Sequence, residues 1–165
     1  MQQFGLTQTQ IPVLMATLGK ALGSSGAFVA GSDDLIETLI QQARPYIYTT
    51  ASLPAIAAAT MCSLDLLHKE SWRREKLTEL IEYFKHKSES VDLEFLNSDT
   101  AIQPIVIGSN ERTLELAEVL KQAGILVTAI RPPTVPQGSA RLRVTLSAEH
   151  ETTDIDRLFQ CLQRA

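Results

Sequence analysis

One nine-residue stretch, ARLRVTLSA at positions 140–148, constrains the fold of this chain more than any other. From position 142 to position 146 every second residue is leucine or valine, and arginine or threonine stands between them. This period of two is typical of a β-strand with one face in water and the other against a core. The buried face needs a second layer, so the strand predicts a sheet that helices cover on one side.

The neighbouring segments supply the other elements of such a layer. VDLEFL, AIQPIVIGS and ILVTAI have the apolar content of short strands, and NERTLELAEVLKQAG has that of a helix that ends at Gly124. We therefore predict a small α+β domain with its sheet on one side and its helices on the other. The closing segment TTDIDRLFQCLQRA adds a helix with four apolar side chains on one face: Ile155, Leu158, Phe159 and Leu162.

The first third of the chain has fewer elements. IPVLMATLG predicts a strand that ends near Lys20, and GAFVAGS predicts a second strand. SDDLIETLIQQARPYIY predicts a helix that begins at a Ser or Asp cap and ends before Pro45. Two short strands and one helix cannot form a core by themselves, so we expect this part to be the end of a larger domain.

A long helical pattern that begins at Pro54 contains the predicted domain boundary. Its residues change from small and apolar to charged and amphipathic, and the pattern fits either one bent helix or two helices that break near residues 68–71. We place the boundary within this change. Residues 1–66 are then the remnant of a large domain, and residues 67–165 form a small C-terminal domain.

Charge and cysteine usage exclude several kinds of partner. The chain has 19 acidic and 15 basic residues, which argues against a nucleic-acid surface or an anionic membrane surface. No stretch approaches the ~20 apolar residues that a membrane span needs. Cys62 and Cys161 match neither a disulfide framework nor a metal site. We expect a cytoplasmic protein without a metal.

Lys20 is the residue whose position most needs an explanation, because a lysine normally lies on a solvated helix face. Gly19, Gly23 and Gly26 surround it and allow the backbone to approach a ligand closely. A lysine attacks a carbonyl only as the free amine, which a pocket of small residues favours. We interpret Lys20 as a nucleophilic amine in such a pocket, with Thr17 nearby and a phosphorylated ligand.

Two other interpretations of Lys20 are a phosphate loop and a plain surface turn. A phosphate loop needs glycine five positions before Gly19 and serine or threonine after the lysine, where this chain has Leu14 and Ala21. That motif is excluded. A surface lysine in a flexible turn stays open on the residues alone.

Three segments of the chain resemble a known family. TLGKALGSSGAFVAG resembles the cofactor-lysine segment of the α-oxoamine synthases, which are pyridoxal-phosphate enzymes of the type I aminotransferase fold. RPYIYTTASLPAIAAAT is similar to the family segment that follows, and residues 101–162 resemble the family's small C-terminal domain. The resemblance implies an α/β chain that is the C-terminal part of this fold, namely the end of the large domain and the small sheet-and-helix domain.

The resemblance also implies cofactor-binding residues. Lys20 would form a Schiff base with pyridoxal 5′-phosphate and move the α-proton of the amino acid, and Thr17 would hydrogen-bond the cofactor. Thr49 and Thr50 match a pair that reaches the cofactor phosphate of the partner subunit, which implies a homodimer. On the residues alone, these two threonines also fit a helix cap for the segment near Pro54.

The substrate-binding residues that the resemblance implies are Arg131 and Thr134. Arg131 matches the arginine that binds the substrate carboxylate, a task that suits its planar fork of donors, and Thr134 would lie beside it. Without the resemblance, an exposed loop residue is the favoured interpretation of an arginine before two prolines.

Enzymes of this family condense an amino acid with an acyl thioester and release carbon dioxide, with the cofactor as electron sink. TAIRPPTVPQGSARLRVTL looks most like the member that joins L-alanine to a pimeloyl thioester, carried by coenzyme A or an acyl carrier protein. A glycine-using sister enzyme of the 2-amino-3-ketobutyrate CoA ligase type stays open.

We expect the chain by itself to be inactive. The resemblance implies that a complete site also needs an aspartate at the pyridine nitrogen, a histidine stacked on the ring and a glycine-containing turn at the phosphate. In the family these groups all precede the lysine segment. The alternative is that the chain is a folded, non-catalytic structural or binding module.

Overall fold

The structure is a computed structural model that describes residues 4–164. It is an α/β structure that divides after Glu70 into two compact units. Over the described range it contains two antiparallel sheets and six helices. None of those helices combines the length and the apolar character that crossing a membrane requires.

The first unit begins with a two-stranded hairpin. Strand β1 covers Leu14–Thr17 and strand β2 covers Ala27–Ala30, and they pair antiparallel with Leu14 opposite Ala30 and Thr17 opposite Ala27. The predicted strand before Lys20 and the predicted second strand are therefore both present. The glycine-rich loop, residues 18–26, joins the two strands and reverses the direction of the chain.

Three helices follow the hairpin: α1 at Asp33–Gln42, α2 at Arg44–Ile47 and α3 at Pro54–Lys69. The Ser32 side chain caps α1, since its Oγ accepts a hydrogen bond from the Leu35 amide at 3.3 Å. No residue between positions 4 and 70 is buried. This agrees with the expectation that the first part of the chain cannot form a core by itself.

The second unit contains a four-stranded antiparallel sheet. Its strands are β3 at Glu94–Phe95, β4 at Ile102–Gly108, β5 at Thr128–Ile130 and β6 at Ala140–Thr145, in the order β3-β4-β6-β5. Strand β6 has the alternation that its sequence predicts, because Leu142 and Val144 are buried whereas the side chains on either side of Val144 are exposed. The strand has one wet face, as expected.

Helices α4 at Trp72–Ser88, α5 at Asn110–Gln122 and α6 at Thr152–Leu162 contribute the apolar layer of this unit. Their buried side chains and those of the sheet form one cluster, and every apolar position predicted for the last helix is buried. The break between α3 and α4 lies at residues 70–71, so the long helical pattern is two helices. The largest fully buried side chains are Phe84, Phe159, Ile105, Leu120, Leu142 and Thr113.

Candidate active site

Lys20 lies in the loop of residues 18–26 between β1 and β2. The ladder continues one pair beyond the strands, since the Leu18 amide donates a hydrogen bond to the Gly26 carbonyl at 2.9 Å. Within the loop, the Gly23 amide donates to the Lys20 carbonyl, also at 2.9 Å. Lys20 therefore begins a tight turn at the closed end of the hairpin.

Two glycines in this loop have backbone conformations that other residues rarely adopt. Gly23 has a φ of +59° and Gly26 has a φ of +97°, both in the left-handed region. At neither position would an added Cβ meet another atom within 4 Å. The backbone conformation, and not crowding, requires glycine here, and the space beside the loop is open.

The side chains of Lys20 and Thr17 are exposed. Within residues 4–164 the Lys20 ammonium has no ion-pair partner. No residue from 4 to 70 is buried, so the described residues do not by themselves enclose Lys20. The expected pocket of small residues around Lys20 stays a prediction for the full-length protein.

Thr49 and Thr50 lie in the connection between α2 and α3 and are exposed. Their hydroxyls form no hydrogen bond to any residue that the structure describes. The N-cap of α3 is Leu53, which makes no side-chain cap, and Pro54 is the first helical residue. The alternative interpretation of this pair as a helix cap is thus wrong, and both hydroxyls are open to a ligand.

Arg131 follows directly after β5, at the edge of the sheet in the second unit. The Thr134 amide donates to the Arg131 carbonyl at 3.0 Å across a turn that contains the cis peptide bond between Pro132 and Pro133. Both side chains are exposed, and the Arg131 guanidinium has no partner among residues 4–164. This guanidinium is free to bind a carboxylate with two parallel hydrogen bonds.

The donor groups of these positions fit pyridoxal phosphate. An unpaired primary amine at Lys20 suits the aldehyde of the cofactor, and the open hydroxyls of Thr17, Thr49 and Thr50 suit polar groups such as a phosphate. The space beside the lysine loop is open at Gly23 and Gly26. The described residues thus carry an amine, hydroxyls and a guanidinium that match the chemistry of this cofactor and an amino acid.

Sequence reasoning missed two hydroxyls of α3 that hold the lysine loop. Ser63 Oγ donates to the Leu22 carbonyl at 2.8 Å, and Thr60 Oγ1 lies 2.6 Å from Ser24 Oγ. The only sequence signal is a Thr and a Ser three residues apart in an alanine-rich helix, which places both on one side of it. That spacing alone does not identify a partner.

Comparison with known proteins identifies the family. Residues 4–162 match the family described as aminotransferase class I and II. The chain is 58% identical over 163 residues to an 8-amino-7-oxononanoate synthase of Pseudomonas syringae pv. syringae. The aligned region covers 99% of this chain and 41% of that protein. The chain therefore spans about two fifths of the length of the curated relatives that it matches.

Solved structures with the same fold agree with this match. A crystal structure of 8-amino-7-oxononanoate synthase from Francisella tularensis has a TM-score of 0.85 at 29% identity, over 98% of this chain and 47% of that one. A structure of SPT with its PLP internal aldimine has a TM-score of 0.85 at 25% identity, over 94% and 39%. The predicted fold class is confirmed, and the chain belongs to the aminotransferase class I and II family.

Proposed function

We propose that the protein containing this chain is a pyridoxal-phosphate-dependent 8-amino-7-oxononanoate synthase, which catalyses a step of biotin biosynthesis. It would join L-alanine to a pimeloyl thioester and release carbon dioxide and the thiol. The observation that carries the proposal is the identity of 58% along 99% of the chain to a protein of that name. The unpaired Lys20 amine in its glycine-rich loop supports it.

The residues of the first unit would hold the cofactor and move a proton. Bound pyridoxal phosphate supplies an electron sink for the carbanion at the amino-acid α-carbon. Lys20 Nζ would hold the cofactor through its aldehyde carbon, and once the amino group of the substrate has replaced it there, the free amine would take the proton from the α-carbon. The Thr17 hydroxyl donates a hydrogen bond to the cofactor. The Thr49 and Thr50 hydroxyls bind the phosphate of the cofactor in the partner subunit of a homodimer.

Arg131 would orient the amino acid. Its planar guanidinium forms two parallel hydrogen bonds with the carboxylate, and this fixes the direction in which the carboxylate leaves. Thr134, three residues later in the same turn, adds a hydroxyl beside that carboxylate. Both side chains are exposed, which leaves them accessible to a small substrate.

The proposal is tested with the full-length protein, L-alanine and a pimeloyl thioester on coenzyme A or on an acyl carrier protein. We expect Lys20→Ala to lower the rate of ketone formation about 10²- to 10⁴-fold, since the proton-transfer group is lost. Lys121→Ala, which removes an exposed lysine from α5, is the control and should have no effect.

Two results would replace this function with another. Condensation of glycine in preference to L-alanine would identify the glycine-using sister enzyme. Failure of the full-length protein to bind pyridoxal phosphate at all would leave a non-catalytic module.

A further inference from the structure

Two side chains of α3 join the lysine loop to that helix. Ser63 Oγ donates a hydrogen bond to the Leu22 carbonyl at 2.8 Å. One turn earlier on the helix, Thr60 Oγ1 lies 2.6 Å from Ser24 Oγ. All four groups are partly buried or backbone atoms, and the contacts span 36 and 41 residues of sequence. They are long-range links between a helix and a loop whose backbone hydrogen bonds otherwise lie within the loop itself, including one from the Ser24 amide to the Leu18 carbonyl at 3.0 Å.

The direction of the contact between Thr60 and Ser24 follows from a second hydrogen bond. Thr60 Oγ1 also lies 2.8 Å from the Ile56 carbonyl, which can only accept. A hydroxyl has a single proton, so Thr60 donates that proton to Ile56 and accepts one from Ser24 Oγ. Ser24 is thus the donor of this link, and Thr60 has both of its roles satisfied.

The links act on the backbone of Lys20 through one turn. Leu22 and Ser24, the two linked residues, lie on either side of Gly23, whose amide donates to the Lys20 carbonyl at 2.9 Å. Lys20 itself has an exposed side chain without a partner among residues 4–164. Its place is therefore set by the backbone of a loop that contains three glycines, and glycine restrains a backbone least.

We propose that Thr60 and Ser63 are positioning residues for Lys20. They hold the loop from α3 so that the lysine amine stays in one place relative to the cofactor. This inference rests on the proposed function, in which Lys20 bonds to pyridoxal phosphate. Neither residue touches the cofactor in this account, and each acts only through the loop.

The test uses Ser63→Ala and Thr60→Val in the full-length protein. Two hydroxyls of α4 provide matched controls, because each bonds only within its own helix: Ser88 Oγ donates to the Lys85 carbonyl at 2.6 Å, and Thr78 Oγ1 donates to the Arg74 carbonyl at 3.0 Å. Ser88→Ala and Thr78→Val therefore remove the same atoms without loosening the loop. Ser63→Thr and Thr60→Ser keep the hydroxyl and serve as rescue variants.

Two measurements are made on each variant. Hydrogen exchange without cofactor reports the loop, and we expect residues 18–26 to exchange about three- to tenfold faster in Ser63→Ala and Thr60→Val. Absorbance titration with pyridoxal phosphate reports how well the Lys20 amine binds the cofactor. In Ser63→Ala and Thr60→Val we expect the affinity for pyridoxal phosphate to be about three- to tenfold weaker and the pH midpoint of the cofactor absorbance band to shift. Both rescue variants should return to within about twofold of the starting protein, and both controls should match it.

The possible outcomes separate this inference from the proposed function. If loop exchange rises but cofactor affinity and the pH midpoint stay unchanged, the hydroxyls only stabilise the hairpin, and the positioning role is refuted while Lys20 keeps its function. If hydrogen exchange of residues 18–26 is unchanged in the variants, the positioning role is also refuted. If Lys20→Ala leaves the cofactor band unaltered, the proposed function fails and the positioning role fails with it. Should Ser63→Ala not fold, Ser24→Ala removes a loop link from the other side and leaves α3 intact.

Discussion

Lys20 and Arg131 are exposed cations that have no ion-pair partner among residues 4–164. The two groups differ in what they can bind. A guanidinium offers a rigid fork of donors that matches a carboxylate, whereas a lysine amine, once neutral, is a compact nucleophile for a single carbonyl carbon. Under the proposed function, these residue types favour Arg131 for the amino-acid carboxylate and Lys20 for the aldehyde of the cofactor.

The first prediction at this scale concerns Arg131→Lys in the full-length protein. An ammonium cannot form two parallel hydrogen bonds with a carboxylate, so binding of the amino acid should weaken by about 1.5 to 3 kcal/mol. The measurement is the KM for L-alanine, which should rise more than kcat falls. Arg164→Lys, an exposed arginine after α6, is the control. An unchanged KM for L-alanine would remove Arg131 from the site.

The second prediction concerns Phe159, a fully buried residue of α6. Its ring lies 5.1 Å from the Phe84 ring and 5.9 Å from the Phe95 ring, measured between centroids. Phe159→Ala should lower the free energy of unfolding by about 3 to 5 kcal/mol, because it leaves a cavity and removes both ring contacts. Denaturant unfolding followed by circular dichroism measures this. Leu126→Ala, at a side chain that is 88% exposed, should change it by less than about 0.5 kcal/mol.

At the scale of elements, a polar link joins α4 to α6. Asp156 Oδ1 accepts hydrogen bonds from Lys87 Nζ at 2.7 Å and from the Tyr83 hydroxyl at 2.8 Å. The bond from Lys87, and then the bond from Tyr83, lowers the pKa of Asp156 below its ordinary value of 3.8. The same contacts with Asp156 raise the pKa of Lys87 and of Tyr83. The link therefore favours charged Asp156, charged Lys87 and neutral Tyr83.

The third prediction is a pH dependence of stability that comes from this link. A carboxylate whose pKa is lowered by folding stabilises the fold above its ordinary pKa, and this contribution disappears as the pH falls through the lowered value. From about pH 6 to about pH 2.5, the original chain should therefore lose more thermal stability than Asp156→Asn does. Differential scanning calorimetry measures the difference. Equal losses in both proteins would show that the link contributes nothing.

The same link acts in the opposite direction at high pH. Because folding raises the pKa of Lys87, the stabilisation that Lys87 contributes is present below its ordinary pKa of 10.5 and disappears as the pH rises through the raised value.

Asp99→Asn is the control for the measurement between about pH 6 and about pH 2.5. The Asp99 side chain is 89% exposed in its pair with Lys85, and such exposed pairs contribute little.

Elements with a strong apolar period could be predicted from the sequence, and those that depend on distant contacts could not. The buried face of α6 and the alternation of β6 follow from local spacing. VDLEFL predicts a strand, but β3 is only Glu94–Phe95, because the Leu93 amide turns back to the Val91 carbonyl at 2.9 Å. The exposure of Lys20 and its links to α3 depend on packing that no local pattern reports.

At the scale of the whole molecule, the two units differ in what stabilises them. Every buried residue that the structure describes belongs to the second unit, whereas residues 4–70 contain many exposed large apolar side chains, such as Met15 and Leu53. Apolar burial is the main favourable contribution to folding. The unit of residues 71–165 should therefore be the stable one, and the hairpin and helices before it should open more easily.

The fourth prediction is that hydrogen exchange of the isolated 165-residue chain shows this difference. Amides of β4, β6 and α6 should be the best protected, and amides of β1 and β2 should exchange much faster, since both hairpin strands have an unpaired edge. The measurement is repeated at several concentrations, because association would protect those edges. Strong protection of residues 13–18 in a chain shown to be monomeric would contradict the prediction.

The fifth prediction concerns the proposed homodimer and its shared sites. If Lys20 and the pair Thr49 and Thr50 serve one cofactor from different subunits, each active site is assembled from two chains. One full-length variant carries Lys20→Ala, and another carries both Thr49→Ala and Thr50→Ala. In a mixed dimer one site then receives all of the substitutions and the other receives none. Activity should reappear after subunit exchange, above that of either variant alone.

The recovery has a definite limit, since only one of the two sites in a mixed dimer is intact. Random exchange of equal amounts yields half mixed dimers, so total activity should approach about one quarter of that of the original protein. Separate tags on the two variants confirm that mixed dimers form, and the threonine variant must be impaired by itself. If mixed dimers form and no activity returns, all three residues act within one chain, and the phosphate role of Thr49 and Thr50 across the interface is wrong.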